Sequence, residues 1–137
     1  MKTNRIFYLI LISILFTSCD PVNSILIENK TNSKIEIRMF FKNLNDISEE
    51  NINFENYKIN KQSISISKEI MPDEEIIIGI ASKIAKSLEK EDIRFDKIDI
   101  LIGKNTLKFN KNAFYYCLDK RTDLPFFAIQ NKYFTVE

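Results

Sequence analysis

The stretch Ile98-Asp99-Ile100-Leu101-Ile102-Gly103-Lys104-Asn105-Thr106-Leu107-Lys108-Phe109 holds two short runs rich in apolar residues around Gly103-Lys104-Asn105. Glycine and asparagine adopt positive φ readily, so this three-residue connection predicts a β-hairpin. Toward the N-terminus, Ser82 to Glu91 places Ile84 and Leu88 four apart among Lys83, Lys86, Glu89 and Lys90, the pattern of a short amphipathic helix. Ile76-Ile77-Ile78-Gly79-Ile80 reads as a strand buried on both sides. Met71-Pro72-Asp73-Glu74 before it reads as a turn, since Pro72 removes a ladder donor and Asp73 offers local side-chain bonds. Ser63-Ile64-Ser65-Ile66-Ser67 alternates strictly, with Ile64, Ile66 and Lys68 on one face and the serines on the other.

Asn43 to Lys61 carries Ile47, Ile52, Phe54 and Tyr57 at spacings that fit neither period, which predicts a long loop with one helical turn. Ile25-Leu26-Ile27 and Ile35-Glu36-Ile37-Arg38-Met39 read as strands on either side of the turn formers Glu28 to Ser33. Phe114 to Leu118 and Phe126 to Val136 add strand material, the latter divided around Gln130-Asn131. Seven or eight short strands, one short helix and no internal repeat predict an all-β fold. The expected architecture is an antiparallel β-sandwich, immunoglobulin-like or transthyretin-like, rather than a parallel α/β sheet.

Chemistry is sparse. The chain has no histidine, so neither a Ser-His-Asp nor a Cys-His site can be built. Ser87-Leu88-Glu89-Lys90 has the Ser-x-x-Lys spacing of penicillin-binding enzymes, but no Lys-Thr-Gly follows and the chain is far too short. Glu49-Glu50, Asp73-Glu74-Glu75, Asp96 with Asp99, and Asp119 with Asp123 are the carboxylate groups from which a calcium site or a glycosidase pair would have to come. None forms a recognised loop, so no catalytic or metal-ligating residue and no cofactor is assigned. Two glycines, Gly79 and Gly103, cannot make a phosphate-cradling loop.

The aromatic doublets Phe40-Phe41, Tyr115-Tyr116 and Phe126-Phe127 would put neighbouring rings on opposite faces of strands. The outward rings then form either a partner-binding patch or a second core layer. Leu124, Phe126 and Phe127, after the polar Asp119 to Asp123 turn, are the expected partner contacts. Lys104 to Lys111 is interrupted by neutral and apolar residues and balanced elsewhere by acids, which gives nucleic-acid binding no electrostatic support.

The N-terminus carries the address. Lys2 and Arg5 precede an apolar run from Ile6 to Phe16 broken only by Ser13, and Thr17-Ser18 supplies small residues before Cys19. As a helix this run would cover roughly 17 Å, about half the hydrocarbon thickness, which suits a cleaved export signal better than a span. Leu15-Phe16-Thr17-Ser18-Cys19 resembles the lipobox of bacterial lipoproteins, with leucine one position earlier than usual. The chain is similar in this respect to small Bacteroidota-type β-sandwich lipoproteins.

The resemblance implies cleavage after Ser18, a diacylglycerol thioether and usually an acylated amine on Cys19, and stable membrane anchoring by several acyl chains. It implies a signal peptide over 1–18, a lipid-proximal tether over 19–24 and a single domain over 25–137. Loss of the leader moves the formal charge from +1 to −1 and leaves Cys117 as the sole cysteine able to pair. Following Phe114-Tyr115-Tyr116, Cys117 reads as a buried small hydrophobe. The expected location is the cell envelope, at the outer membrane facing the periplasm, with the inner membrane and the cell surface as alternatives. The expected role is a non-enzymatic binding or scaffolding module for another envelope protein. A secretion-system accessory or toxin-immunity lipoprotein is the nearer alternative, and a carboxylate-based glycan hydrolase the more distant one.

Overall fold

Isoleucine decides the architecture. Its branched Cβ suits a pleated strand, and its alternation with polar residues, as in Ile35-Glu36-Ile37-Arg38, gives a strand one face to bury. In the computed structural model, which describes residues 23–47, 57–81, 87–124 and 129–137, with side chains at 120–130 excepted, these strands form the two packed sheets of a β-sandwich.

One sheet has the order β5-β1-β9-β8 and the other β3-β4-β2-β6-β7. The strands are β1 (Ser24–Asn29), β2 (Ile35–Phe40), β3 (Lys58–Asn60), β4 (Ser65–Ile70), β5 (Glu75–Ile80), β6 (Lys97–Ile102), β7 (Asn105–Asn110), β8 (Asp119–Leu124) and β9 (Ile129–Val136). Every ladder is antiparallel except β1 with β9, which is parallel from Ile25↔Lys132 to Asn29↔Val136. β1 and β2 lie in opposite sheets, whereas in the immunoglobulin constant arrangement the first two strands share one.

Ile25 and Ile27 of β1, Ile76 and Ile78 of β5, and Phe134 and Val136 of β9 face Ile35, Ile37, Met39, Ile66, Ile70, Ile98 and Ile100 across the core. The outer face of the five-stranded sheet is polar: Arg38 pairs with Glu36 at 3.0 Å and Lys97 with Asp99 at 3.1 Å.

The expected hairpin is present as β6–β7, tighter by one residue. Asn105 already pairs with Ile102, and Gly103 at φ 58 opens a two-residue turn. The Met71–Glu74 turn is also present: Glu74 N–H donates to Met71 O at 3.1 Å, and Met71 N–H to Glu74 Oε2 at 2.8 Å.

β5 departs from expectation. It is an edge strand, so Ile77 and Ile80 are exposed rather than buried. Its register against β1 slips at Ile78, turning both Ile78 and Gly79 inward. A Cβ on Gly79 would lie 3.2 Å from Ile25 Cδ1, a tight approach that the glycine avoids.

Of the segment from Asn43 to Lys61, residues 48–56 lie outside the described residues; the described part has a 3-10 turn at Leu44–Asp46, and β3 emerges near its end. β4 starts at Ser65, because Ile64 adopts φ 45 in the turn that joins it to β3.

Of the helix expected over Ser82 to Glu91, residues 82–86 lie outside the described residues; residues 87–89 are not helical, and Lys90–Asp92 forms a 3-10 turn in which the Asp92 carboxylate accepts the Glu89 N–H at 2.8 Å. Conversely, Lys111–Tyr116 is the helix α1 rather than part of a strand. Asn110 caps it, Oδ1 accepting from Ala113 N–H at 2.8 Å. Phe114 drops into the end of the sandwich, stacking on Phe134 at 5.0 Å and meeting Phe95 and Phe109 edge-on at 5.5 and 6.1 Å. That burial fixes a six-residue segment which is far too short to hold itself as a helix.

Candidate functional site

Helix α1 crosses from β7 to β8 over one end of the sandwich, and its placement creates a cleft. Phe114 points inward, so Tyr115 and Tyr116 must lie on other sides of the helix. Tyr115 leans over the neighbouring segment and its hydroxyl donates to Leu88 O at 3.2 Å. Tyr116 stands at the mouth, 83% exposed, edge-on to Tyr115 at 5.9 Å. Ser87, Leu88 and Glu89 form the facing wall, Leu118 continues the helix side, and the volume enclosed is about 360 Å³.

Lys132 of β9 closes this cleft. It falls in phase with Phe134 and Val136, the inward face of its strand, and is only 7% exposed. Its Nζ sits 3.8 Å from the centroid of the Tyr115 ring. Among the described residues no carboxylate pairs with it. The low exposure is that of the whole residue: its stem packs against the core and its ammonium end reaches the cleft. The ring covers one side of the cation and leaves N–H donors toward the cleft.

A second polar cluster sits at the β4 edge. Lys68 shares the inward face with Ile66 and Ile70, but its ammonium reaches the Tyr57 ring at 5.4 Å and Glu74 at 3.9 Å. Burial, and then the charge of Glu74, push the Tyr57 phenol up to about 12.

The expected sites fall differently. Cys19 lies outside the described residues, as do Phe126 and Phe127; Leu124 ends β8, but its side chain is outside them as well. Of the aromatic doublets, Phe40-Phe41 divides as expected, Phe41 buried and Phe40 half-buried beneath the Lys97 ammonium at 4.6 Å. Tyr115-Tyr116 is divided by a helix instead of a strand. Cys117 is exposed rather than buried, because as the C-cap of α1 it follows the helix out of the core.

Ser87 and Lys90 do not share a helix, so their spacing creates no juxtaposed pair. Asp73 faces Lys30 at 3.7 Å, Asp96 faces Lys42 at 3.6 Å and Asp99 faces Lys97, each acid drawn to a neighbouring cation. Among the described residues no three acidic, cysteine or histidine side chains converge on one point. Lys132 was not anticipated, although the alternation Lys132-Tyr133-Phe134-Thr135-Val136 places it on the core face in the sequence itself. No family model, no curated protein and no solved structure matches this chain, and the cleft is read from its own side chains.

Proposed function

We propose that the protein is a lipid-anchored module of the bacterial envelope, held at a membrane through Cys19, which binds another envelope component without chemical turnover. The lipobox Leu15-Phe16-Thr17-Ser18-Cys19 carries this reading. The fold supports it: β1 begins at Ser24, only a few residues beyond Cys19, so the domain would sit close against the bilayer. Anchoring raises the local concentration of any partner in the same envelope. The α1 cleft, with the Lys132 ammonium and the exposed Tyr116 ring, is the surface the geometry favours for contact. Leu124, Phe126 and Phe127 remain the contact residues proposed from the sequence.

Metabolic labelling with an alkyne fatty acid tests the anchor. The wild-type chain should take up label and sediment with membranes, and Cys19→Ser should do neither. A labelled Cys19→Ser chain, or an unlabelled wild type, rejects the reading.

A further inference from the structure

Lys132 is a cation placed on the core face of a strand, more than nine-tenths buried as a residue, and aimed into a cleft where the Tyr115 ring covers it and no ion pair to a described carboxylate is formed. Lys132 lies in phase with the buried Phe134 and Val136, whereas Asn131 and Thr135, half-buried, lie on the opposite face of the strand. An anion in the cleft would take the donors that the Tyr115 ring leaves free.

The walls narrow the anion. Tyr116 offers an exposed aromatic face, and Leu88 and Leu118 add apolar surface beside it. Ser87 contributes one hydroxyl, while Glu89 on the rim carries the same sign as the ligand. Among the described side chains one ammonium and one rim carboxylate line the cleft, which suits a single negative charge better than a multiply charged phosphate. Resting on the reading of this cleft as the contact surface, we propose that it binds a monocarboxylate attached to a flat apolar body, the carboxylate on Lys132 and the body against Tyr116. Two sources present this chemistry: a free small acid, or the C-terminal carboxylate of a peptide ending in an aromatic residue.

The test uses the full chain in detergent, labelled with [15N]lysine. The Lys132 amide peak is assigned by its disappearance in Lys132→Met. Phenylacetate should move that peak saturably, and 2-phenylacetamide, its neutral isostere, should bind at least about tenfold more weakly, as expected where a charged hydrogen bond is lost. Inorganic phosphate should also bind more weakly than phenylacetate. Equal affinity for the acid and the amide, tighter binding of phosphate, or no movement with any of them overturns the proposal. Isothermal titration calorimetry of the wild-type chain ranks the same three compounds without any peak assignment, so the test stands even if Lys132→Met fails to fold.

For a Lys132→Met chain that melts like wild type, lost phenylacetate binding supports the proposal and retained binding overturns it. Acetyl-glycyl-phenylalanine separates the sources: tighter binding than phenylacetate assigns a peptide terminus, and weaker binding a free acid. Fatty-acid labelling of Cys19 is unaffected by any of these results, so failure of the ligand assignment and failure of the anchor are read separately.

Discussion

The Asn29 side chain donates through Nδ2 to Ile70 O at 3.0 Å, joining the end of β1 in one sheet to the end of β4 in the other. The same amide also donates to Ser33 O at 2.9 Å, while its Oδ1 accepts from Thr31 N–H at 3.0 Å and Thr31 Oγ1 at 2.7 Å. A fully buried side chain thus uses both its donors and both lone pairs to hold the corner where the chain leaves β1 for β2.

Asn29→Ala should therefore destabilise strongly. It leaves Ile70 O without this donor and the Thr31 N–H without its acceptor, at about 1–3 kcal/mol for each buried group left unmet. Asn29→Asp should be at least as damaging, since it replaces a donor with a charge facing two carbonyls. Urea unfolding midpoints of the three chains check this, and a midpoint unchanged in Asn29→Ala would show that the corner is held by other contacts.

Phe114→Ala should cost about 3–5 kcal/mol, the usual range for deleting a buried phenylalanine. The loss should extend beyond the cavity, because Phe114 is the contact that holds α1 against Phe95, Phe109 and Phe134. Hydrogen exchange should then show amides 111–117 opening more readily than those of β2 and β6. Uniform loss of protection would contradict a local role.

Gly103 and Gly79 serve different ends. At Gly103 an added Cβ meets nothing within 4 Å, but φ is 58, so Gly103→Ala should cost about 1 kcal/mol from backbone strain alone, with Gly103→Asn costing less. At Gly79 the added Cβ crowds Ile25, and Gly79→Ala should be rescued in part by Ile25→Val, which removes Cδ1. A double-mutant cycle measures the coupling, expected at Gly79 and absent between Gly103→Ala and Ile25→Val.

Tyr57 makes stability depend on alkaline pH. Its folded value lies near 12 against an unfolded value of about 10, so the neutral phenol is the form the fold accommodates. The contribution is whole below pH 10 and disappears as pH rises from 10 through 12. Between pH 9 and 11, wild-type thermal stability should fall further than that of Tyr57→Phe. Parallel curves for the two chains would place Tyr57 in an ordinary solvated setting.

What was legible in the sequence was local. The β6–β7 hairpin could be read because Gly103 and the flanking alternation lie within a dozen residues of each other, and the two-sheet sandwich followed from the number and brevity of the strands. β3 was missed because Lys58, Ile59 and Asn60 are all exposed and pair on one side only, so burial leaves no pattern in them. α1 was mistaken for a strand because Phe114-Tyr115-Tyr116 has strand-like composition, and the force that makes it a helix is contact with Phe134, twenty positions away. The cleft was hidden for the same reason: Leu88, Tyr115 and Lys132 come from three separated segments. Only the phase of Lys132 was available beforehand.

The central position of β1 imposes an order on folding. Its parallel partner is the last strand of the chain, and the bond from Ser24 N–H to Asn131 Oδ1 spans 107 residues. The four-stranded sheet cannot close until β9 has been delivered, so until then the first isoleucines stay unpaired on one side. Closure over so long a loop is slow. Until β9 arrives, the open edge of β1 is a template for any passing strand, and a chain truncated before Ile129 should aggregate instead of folding to a smaller sandwich.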